Sequence, residues 1–382
     1  MNIDFIRFLE SIENIRRVVT ESTGREPNVE TARQISSCLQ QGRLFFESAQ
    51  RSGPEIRPLL LSYGTISYAR AVIVAKTGYG LERQPHTHGL KDVSSDNCKL
   101  QDLRIRIEGD GTFQRILNVA RTLERSRITR QTQSVWFAAS TCTPAELNGK
   151  EVTLRDILAR IVALEDSYRE TFRLEPAVVR VTTMESLNHN DILHWQISAP
   201  TTIPPSADNI VGLVNNLAMR FPVFRHLSFL EAWFAWDRIT IALDNSGLAG
   251  WYPQLSKDVR QTTNEPPHFE RFPLGRAMDA PIPLPSILSC ASGSLGDDDY
   301  PIFTTPLFGA NVPNIALLYL GSYLLGSLVR YRPQVWVHAM YGHATSERPR
   351  DDSTISIVEQ FLDLIEPHVS RWADAAIRAT PL

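Results

Sequence analysis

Cysteine is scarce in this chain of 382 residues, and its four thiols, Cys38, Cys98, Cys142 and Cys290, stand far apart with no CxxC pair or His/Cys cluster. That excludes a disulfide framework and a structural zinc site, so no metal is expected, and it places the chain in a reducing, cytoplasmic compartment. Lysine is scarcer still: Lys76, Lys91, Lys99, Lys150 and Lys257 are the five among 39 basic residues, the rest being arginine. Arginine suits bidentate contacts to carboxylates and phosphates, but here it is spread along the whole chain and reads first as a compositional preference. Neither sign of charge prevails, since the formal net charge is −3, so no global field draws the protein to nucleic acid or an anionic membrane. Long apolar runs are missing too. The run "IALLYLGSYLLGSLV", Ile315 to Val329, falls short of the ~20 residues a membrane span needs and reads as a buried helix. The first residues, "MNIDFIRFLESIENIRRVV", break their apolar pattern with acids and arginines, so they read as a helix and not as a signal peptide. A GxGxxG turn, a Walker lysine loop and a GxSxG elbow are all absent, and no cofactor is expected.

What is present is enough apolar residue, 43%, for a large core. Between Asn28 and Arg51, Ile35, Cys38, Leu39, Gly42, Phe45, Phe46 and Ala49 recur at helical spacing, and Gly53-Pro54 ends the helix. A second helix fits "RPLLLSYGTISYARAVIVAKTGYG", with Pro58 in its first turn and Gly78 near its end. A polar loop, residues 79–100, follows. In "DLRIRIEGDGTF", Leu103, Ile105 and Ile107 alternate with Arg104, Arg106 and Glu108 before Gly109-Asp110-Gly111, which predicts a hairpin with one solvated face. "TLRDILARIVALEDSYRETF" predicts one amphipathic helix, "AVVRVTTM", "ILHWQISA" and "WDRITIAL" predict strands, and "NIVGLVNNLAMRFPVF" is helical up to Pro222. The fold expected is α+β and mostly helical, with N- and C-terminal helical units packed together around or beside a central α+β region. The boundaries are 1–100 for the first helical unit with its loop, 101–250 for the α+β region, 251–313 for a proline-rich irregular connector and 314–382 for the last helical unit.

Candidate chemistry centres on "ERQPHTHGL", where Arg83 and His88 have the spacing of HEPN-type ribonucleases. There a histidine shuttles the proton of a ribose 2′-hydroxyl and an arginine steadies the developing phosphorane charge. Arg220 with His226 and Arg332 with His338 share that spacing, and the abundance of arginine produces about two to three such pairs by chance. Pro85 further separates Arg83 from His88. A second candidate is "SLVRYRPQVWVH": Arg330 and Arg332 flank Tyr331, with Trp336 close behind, a set that could contact phosphate or nucleic acid with an aromatic platform, or end a helix and pack. Asp297-Asp298-Asp299 and the loose "SCASGSLG" read as loops.

Taken in order, "TARQISSCLQQGRLFFESAQ", "RPLLLSYGTISYARAVIV", "HGLKD", "LRIRIEGDGTF" and "YLLGSLVRYRPQVW" resemble the YaaC-like proteins over most of the chain. In that pattern His88-Gly89 is the family's "HG" step, whereas Arg83 is not part of it. The resemblance implies no established reaction. Its N-terminal helices are similar to HEPN-like bundles, which dimerise and serve as ribonucleases or inert partners in bacterial defence systems. Three functions are therefore expected, in this order. The first is a non-catalytic interaction or sensing protein, one component of a defence assembly, with a protein partner or a second copy of itself and no membrane contact. The second is a metal-independent ribonuclease. The third is a nucleotide- or phosphate-binding module that uses Arg330 and Arg332.

Overall fold

Ser11 divides the expected N-terminal helix. In the computed structural model, which describes residues 4–96, 98–120, 124–128, 133–137, 142–187, 192–200, 207–235, 238–244, 271–273, 291–292, 302–341 and 352–379, α1 (Asp4–Leu9) ends before Ser11 and α2 (Ile12–Thr23) begins after it. The Ser11 hydroxyl accepts the Asn14 N–H at 3.5 Å, the usual way a helix start is satisfied. α3 (Val29–Gln50) opens on Asn28, whose side chain accepts from the Thr31 N–H at 2.7 Å. α4 (Arg57–Thr77) has Pro58 in its first turn, where the missing N–H costs nothing, and closes on Gly78 at φ 72°. The two helices pack face to face because glycines admit rings: Tyr68 lies on Gly42 and Phe46 on Gly64, and a side chain at either glycine would overlap the ring.

Next come β1 (Leu90–Asp92), β2 (Arg104–Ile107) and α5 (Thr112–Ala120). β2 is the expected strand, with Ile105 and Ile107 buried, but the glycine turn after it leads into a helix and not into a hairpin partner. Phe113, Ile116, Leu117 and Ala120 fall on one buried helical face, a period that overrides the turn residues. β3 (Glu124–Ile128) pairs antiparallel with β4 (Gln133–Phe137). α6 (Pro144–Leu147) and β5 (Glu151–Thr153) follow, and the single helix expected over residues 153–172 is divided into α7 (Leu154–Leu158) and α8 (Glu165–Phe172). Thr153 caps α7 reciprocally with Asp156, which fixes the helix start there, and Thr153 itself pairs with Arg104 in the ladder β1-β2-β5. On the outer face of that sheet Arg104 and Arg106 both pair with Glu151, at 3.4 Å and 2.6 Å.

The other strands form one antiparallel sheet. β6 (Val178–Leu187), β7 (Ile192–Pro200), β8 (Ser228–Ala235), β9 (Arg238–Asp244), β10 (Arg271–Pro273), β11 (Ala291–Ser292) and β12 (Ile302–Thr304) lie in the order β10-β8-β9-β7-β6-β12-β11. α9 (Ala207–Arg220) stops before Pro222, and the short turn that follows sets Phe224 edge-on against Phe303, ring centres 5.0 Å apart.

The chain ends in α10 (Asn314–Tyr331), α11 (Pro333–Tyr341) and α12 (Asp352–Arg378), the last running through Pro367. α10 is buried along most of its length, as its apolar run predicts. Gly326 seats it on Ser62 and Pro58 of α4, and Gly321 receives the Phe361 ring of α12. α12 is tied to the N-terminal helices by Arg57–Asp363 at 2.6 Å, by Gln50 donating to Glu366 at 2.7 Å and by Lys76 donating to the carbonyls of Ile377 (3.1 Å) and Ala379 (2.5 Å). α4 is long and apolar enough to cross a membrane by composition, yet most of it is buried inside the protein.

The architecture is thus α+β and mostly helical. It divides into two units, one of residues 1–123, 142–176 and 308–382 and the other of 124–141 and 177–307. The stretch 101–250, read as one region from the sequence, contributes to both, and most of the proline-rich 251–313 lies outside the described residues, as do Asp297-Asp298-Asp299 and Ser289-Cys290.

Candidate functional site

The "HG" step is where the first unit's helices and small sheet meet. Gly89 has φ 69°, a conformation that favours glycine, and it is buried. A Cβ there would overlap the Gln114 side chain, and one at Gly111 would overlap the backbone of His88 and Gly89. The backbones are that close because α5 begins on this loop. Thr112 and Phe113 donate their N–H groups to the carbonyls of Thr87 and His88, each at 3.1 Å, and Glu108 N–H donates to Gly89 at 2.9 Å. Two N–H groups at the helix start, which the helix itself leaves unbonded, are thereby satisfied. His88 is fixed by its own main chain.

Its imidazole packs against Tyr323 of α10, ring centres 5.0 Å apart, and Nδ1 is buried with no hydrogen-bond partner. The Tyr323 hydroxyl donates to the Leu90 carbonyl at 3.1 Å. Burial, then the charges of Arg70 and Arg330, push the imidazole below its ordinary range, so it is uncharged at neutral pH. Arg70 lies in α4 amid a buried apolar run, its Nε is buried without a partner, and no carboxylate pairs with it among the described residues. Its charge also acts on Tyr319 of α10, whose fully buried hydroxyl is directed towards Thr112 without a well-formed hydrogen bond. Burial holds the Tyr319 phenol above its usual range. Arg330 stays exposed, its guanidinium 5.8 Å from the Tyr63 ring centre and 4.9 Å from that of Tyr331. The site therefore offers two guanidinium groups, a neutral imidazole and a phenol that lacks an acceptor.

The other sequence candidates are placed differently. Arg332 is engaged: it donates to Asp92 at 3.0 Å and to the Ser94 carbonyl at 2.6 Å, and it also pairs with Asp96. Trp336 is buried, 2% exposed, so it offers no stacking platform. His338 falls within α11, and its side chain is outside the described part. Arg83 is exposed, 5.6 Å from the Tyr79 ring centre, and lines a cavity of about 300 Å³ with Asn28, Gln34 and Glu82. The arginines whose charges reach His88 are thus Arg70 and Arg330, neither of which the spacing motif selects. Arg220 lies over Phe221 in the other unit, 5.5 Å from its ring centre. Among the described residues no group of three His, Cys, Asp or Glu is placed to hold a metal ion.

Arg70 and the two tyrosines were not singled out in the sequence. The available signal was an arginine inside the buried run "SYARAVIVAK" and two hydroxyls, Tyr319 and Tyr323, one helical turn apart on an apolar helix. A model of the YaaC-like protein family matches residues 7–211, more than half of the chain, which takes in α4 with Arg70, the "HG" step and α5. No curated protein and no solved structure matches the chain.

Proposed function

The chain belongs to the YaaC-like family, and from that premise we propose that it is a non-catalytic recognition or sensing protein of the cytoplasm, with the His88 junction as its recognition site and a protein or a second copy as partner. The observation that carries this reading is the sign of the charges at His88, where both cations, Arg70 and Arg330, disfavour protonation. Acid–base cleavage needs one group to take a proton and another to deliver one. The junction supplies a neutral imidazole, and Tyr323 beside it is held above its usual range by burial while its proton is committed to the Leu90 carbonyl. Such a set binds, orients and excludes water. The cytoplasmic reading draws on Cys38 and Cys98, neither of which is in a disulfide.

A second reading, a metal-independent ribonuclease, draws on the same residues: an uncharged imidazole can serve as base, and a guanidinium beside it can steady a phosphorane. The pair would then be His88 with Arg70, not with Arg83. Incubating the full chain with mixed RNA in chelator, beside His88→Ala, Arg70→Ala, Arg332→Ala and His338→Ala, separates the readings. The expected outcome is no cleavage above buffer for any of them. Cleavage that His88→Ala or Arg70→Ala abolishes would put the ribonuclease first.

A further inference from the structure

Arg70 occupies a position where a protein ordinarily supplies an acid. Ala69 and the run Ala71 to Ala75 around it are buried, Nε has no hydrogen-bond partner, and no carboxylate pairs with the guanidinium among the described residues. The side chain as a whole is half-buried, and a guanidinium with a buried, unpaired Nε is unfavourable unless something else supplies a hydrogen-bond acceptor and the negative charge. Asp92 is held by Arg332, and the charges of Asp92 and Glu108 bear on Tyr323. Two more polar atoms at the same place, His88 Nδ1 and the Tyr319 hydroxyl, are also buried without partners. A second guanidinium, Arg330, stands over Tyr63, seven residues before Arg70 on the same helix and so about two turns away. Buried polar atoms are nearly always satisfied, and two unsatisfied ones beside an arginine whose own Nε is unsatisfied mark a ligand's place.

We infer that this cluster is a binding site for a phosphate dianion, the terminal phosphoryl group of a small molecule, held by Arg70 and Arg330 with Tyr319 and His88 as hydrogen-bond partners. The charge count selects the class: two guanidinium groups balance a dianion, whereas a carboxylate balances one of them. The forked geometry of arginine matches phosphate oxygens. The inference rests on the reading of the His88 junction as a recognition site and names the chemistry it recognises.

Calorimetric titration of the full chain with inorganic phosphate and pyrophosphate, at fixed ionic strength with chloride as control, tests it. Saturable binding of at least one anion is expected, with a rise in melting temperature on binding. Arg70→Met should weaken binding roughly ten- to a hundredfold, the scale of lost charge-assisted hydrogen bonds, and Arg70→Lys by less. Arg70→Met should also melt no lower than the wild type without anion, since it removes an unpaired charge. Should that variant fail to fold, Tyr319→Phe removes a hydroxyl alone and should weaken binding several-fold. Arg173→Ala, a surface change remote in sequence, should leave it unaltered. The inference is overturned if the wild type binds neither anion saturably, or if every Arg70 and Tyr319 variant binds as the wild type does. The RNA assay on the same preparations separates the two levels. Binding together with His88-dependent cleavage keeps the phosphate site and overturns the non-catalytic reading. Neither binding nor cleavage overturns the phosphate site and leaves the recognition reading to a partner of other chemistry.

Discussion

Arg332 shows how one guanidinium can be fully committed to architecture. Its partner Asp92 has a side chain only 8% exposed, so Arg332→Ala would leave that carboxylate under-solvated and without a counter-charge from Arg332, held by the Ser94 N–H at 2.9 Å. The expected cost is about 2–3 kcal/mol, read as a lower urea midpoint, with phosphate binding at Arg70 retained. Gly89 is the other residue whose identity is dictated by its surroundings. Gly89→Ala combines positive-φ strain with overlap on Gln114, and a loss of about 1–3 kcal/mol is expected from the strain alone. His88-Gly89 was legible because the glycine stands in a recognisable step. Arg70 was not, because the sequence shows an arginine in an apolar helix without showing whether it reaches solvent or faces inward. Arg83 was legible and misplaced: spacing along the chain does not say which side of a loop a side chain takes.

Among the elements, α3 was plain from its 3.6-residue period, α4 from Pro58 and Gly78 at its ends, and α10 from its apolar run. The misreadings came where a cap or a tertiary contact overrode the period. Ser11 starts a helix inside a stretch read as continuous, and the helix expected from Thr153, whose capping pair with Asp156 was visible in the sequence, stops at Leu158 before another begins at Glu165. α5 was read as a strand after a hairpin turn, because no local signal announces that the carbonyls of Thr87 and His88 will take up its first N–H groups. Lys76 supplies a test at this scale. It donates to the last carbonyls of α12 from the end of α4, and burial lowers its ammonium to about 8. The unfolded chain therefore holds this proton to higher pH than the folded one, and stability rises as pH climbs from about 8 towards the ordinary lysine value. Relative to Lys76→Met, the wild type should gain melting temperature across that window. A difference that stays flat would show that the ammonium keeps its proton throughout.

For the whole molecule, the first unit is discontinuous: helices from both ends of the chain share one core with residues 142–176. Residue-by-residue reading captured the fold class and expected the two terminal helical units to pack together, but it set boundaries along a line, since periodicity cannot show which parts of α4 the returning α10 and α12 cover. A fragment of residues 1–250 contains the whole family match yet lacks both helices, which uncovers the stretch of α4 around Pro58 and Ser62 on which Gly326 sits. It should give no cooperative melt, and co-expression with residues 308–382 should improve its recovery in soluble form. Cooperative unfolding of the fragment alone would contradict the shared core.

The measurement closest to the central claim is the titration of the His88 imidazole by NMR in the full chain, assigned by its loss in His88→Gln. A recognition site built of unpaired cations predicts a midpoint below the usual value of about 6.5, a rise in Arg70→Met, and a rise in the wild type on adding phosphate. A midpoint at or above the usual value in the free protein, indifferent to both changes, would contradict it.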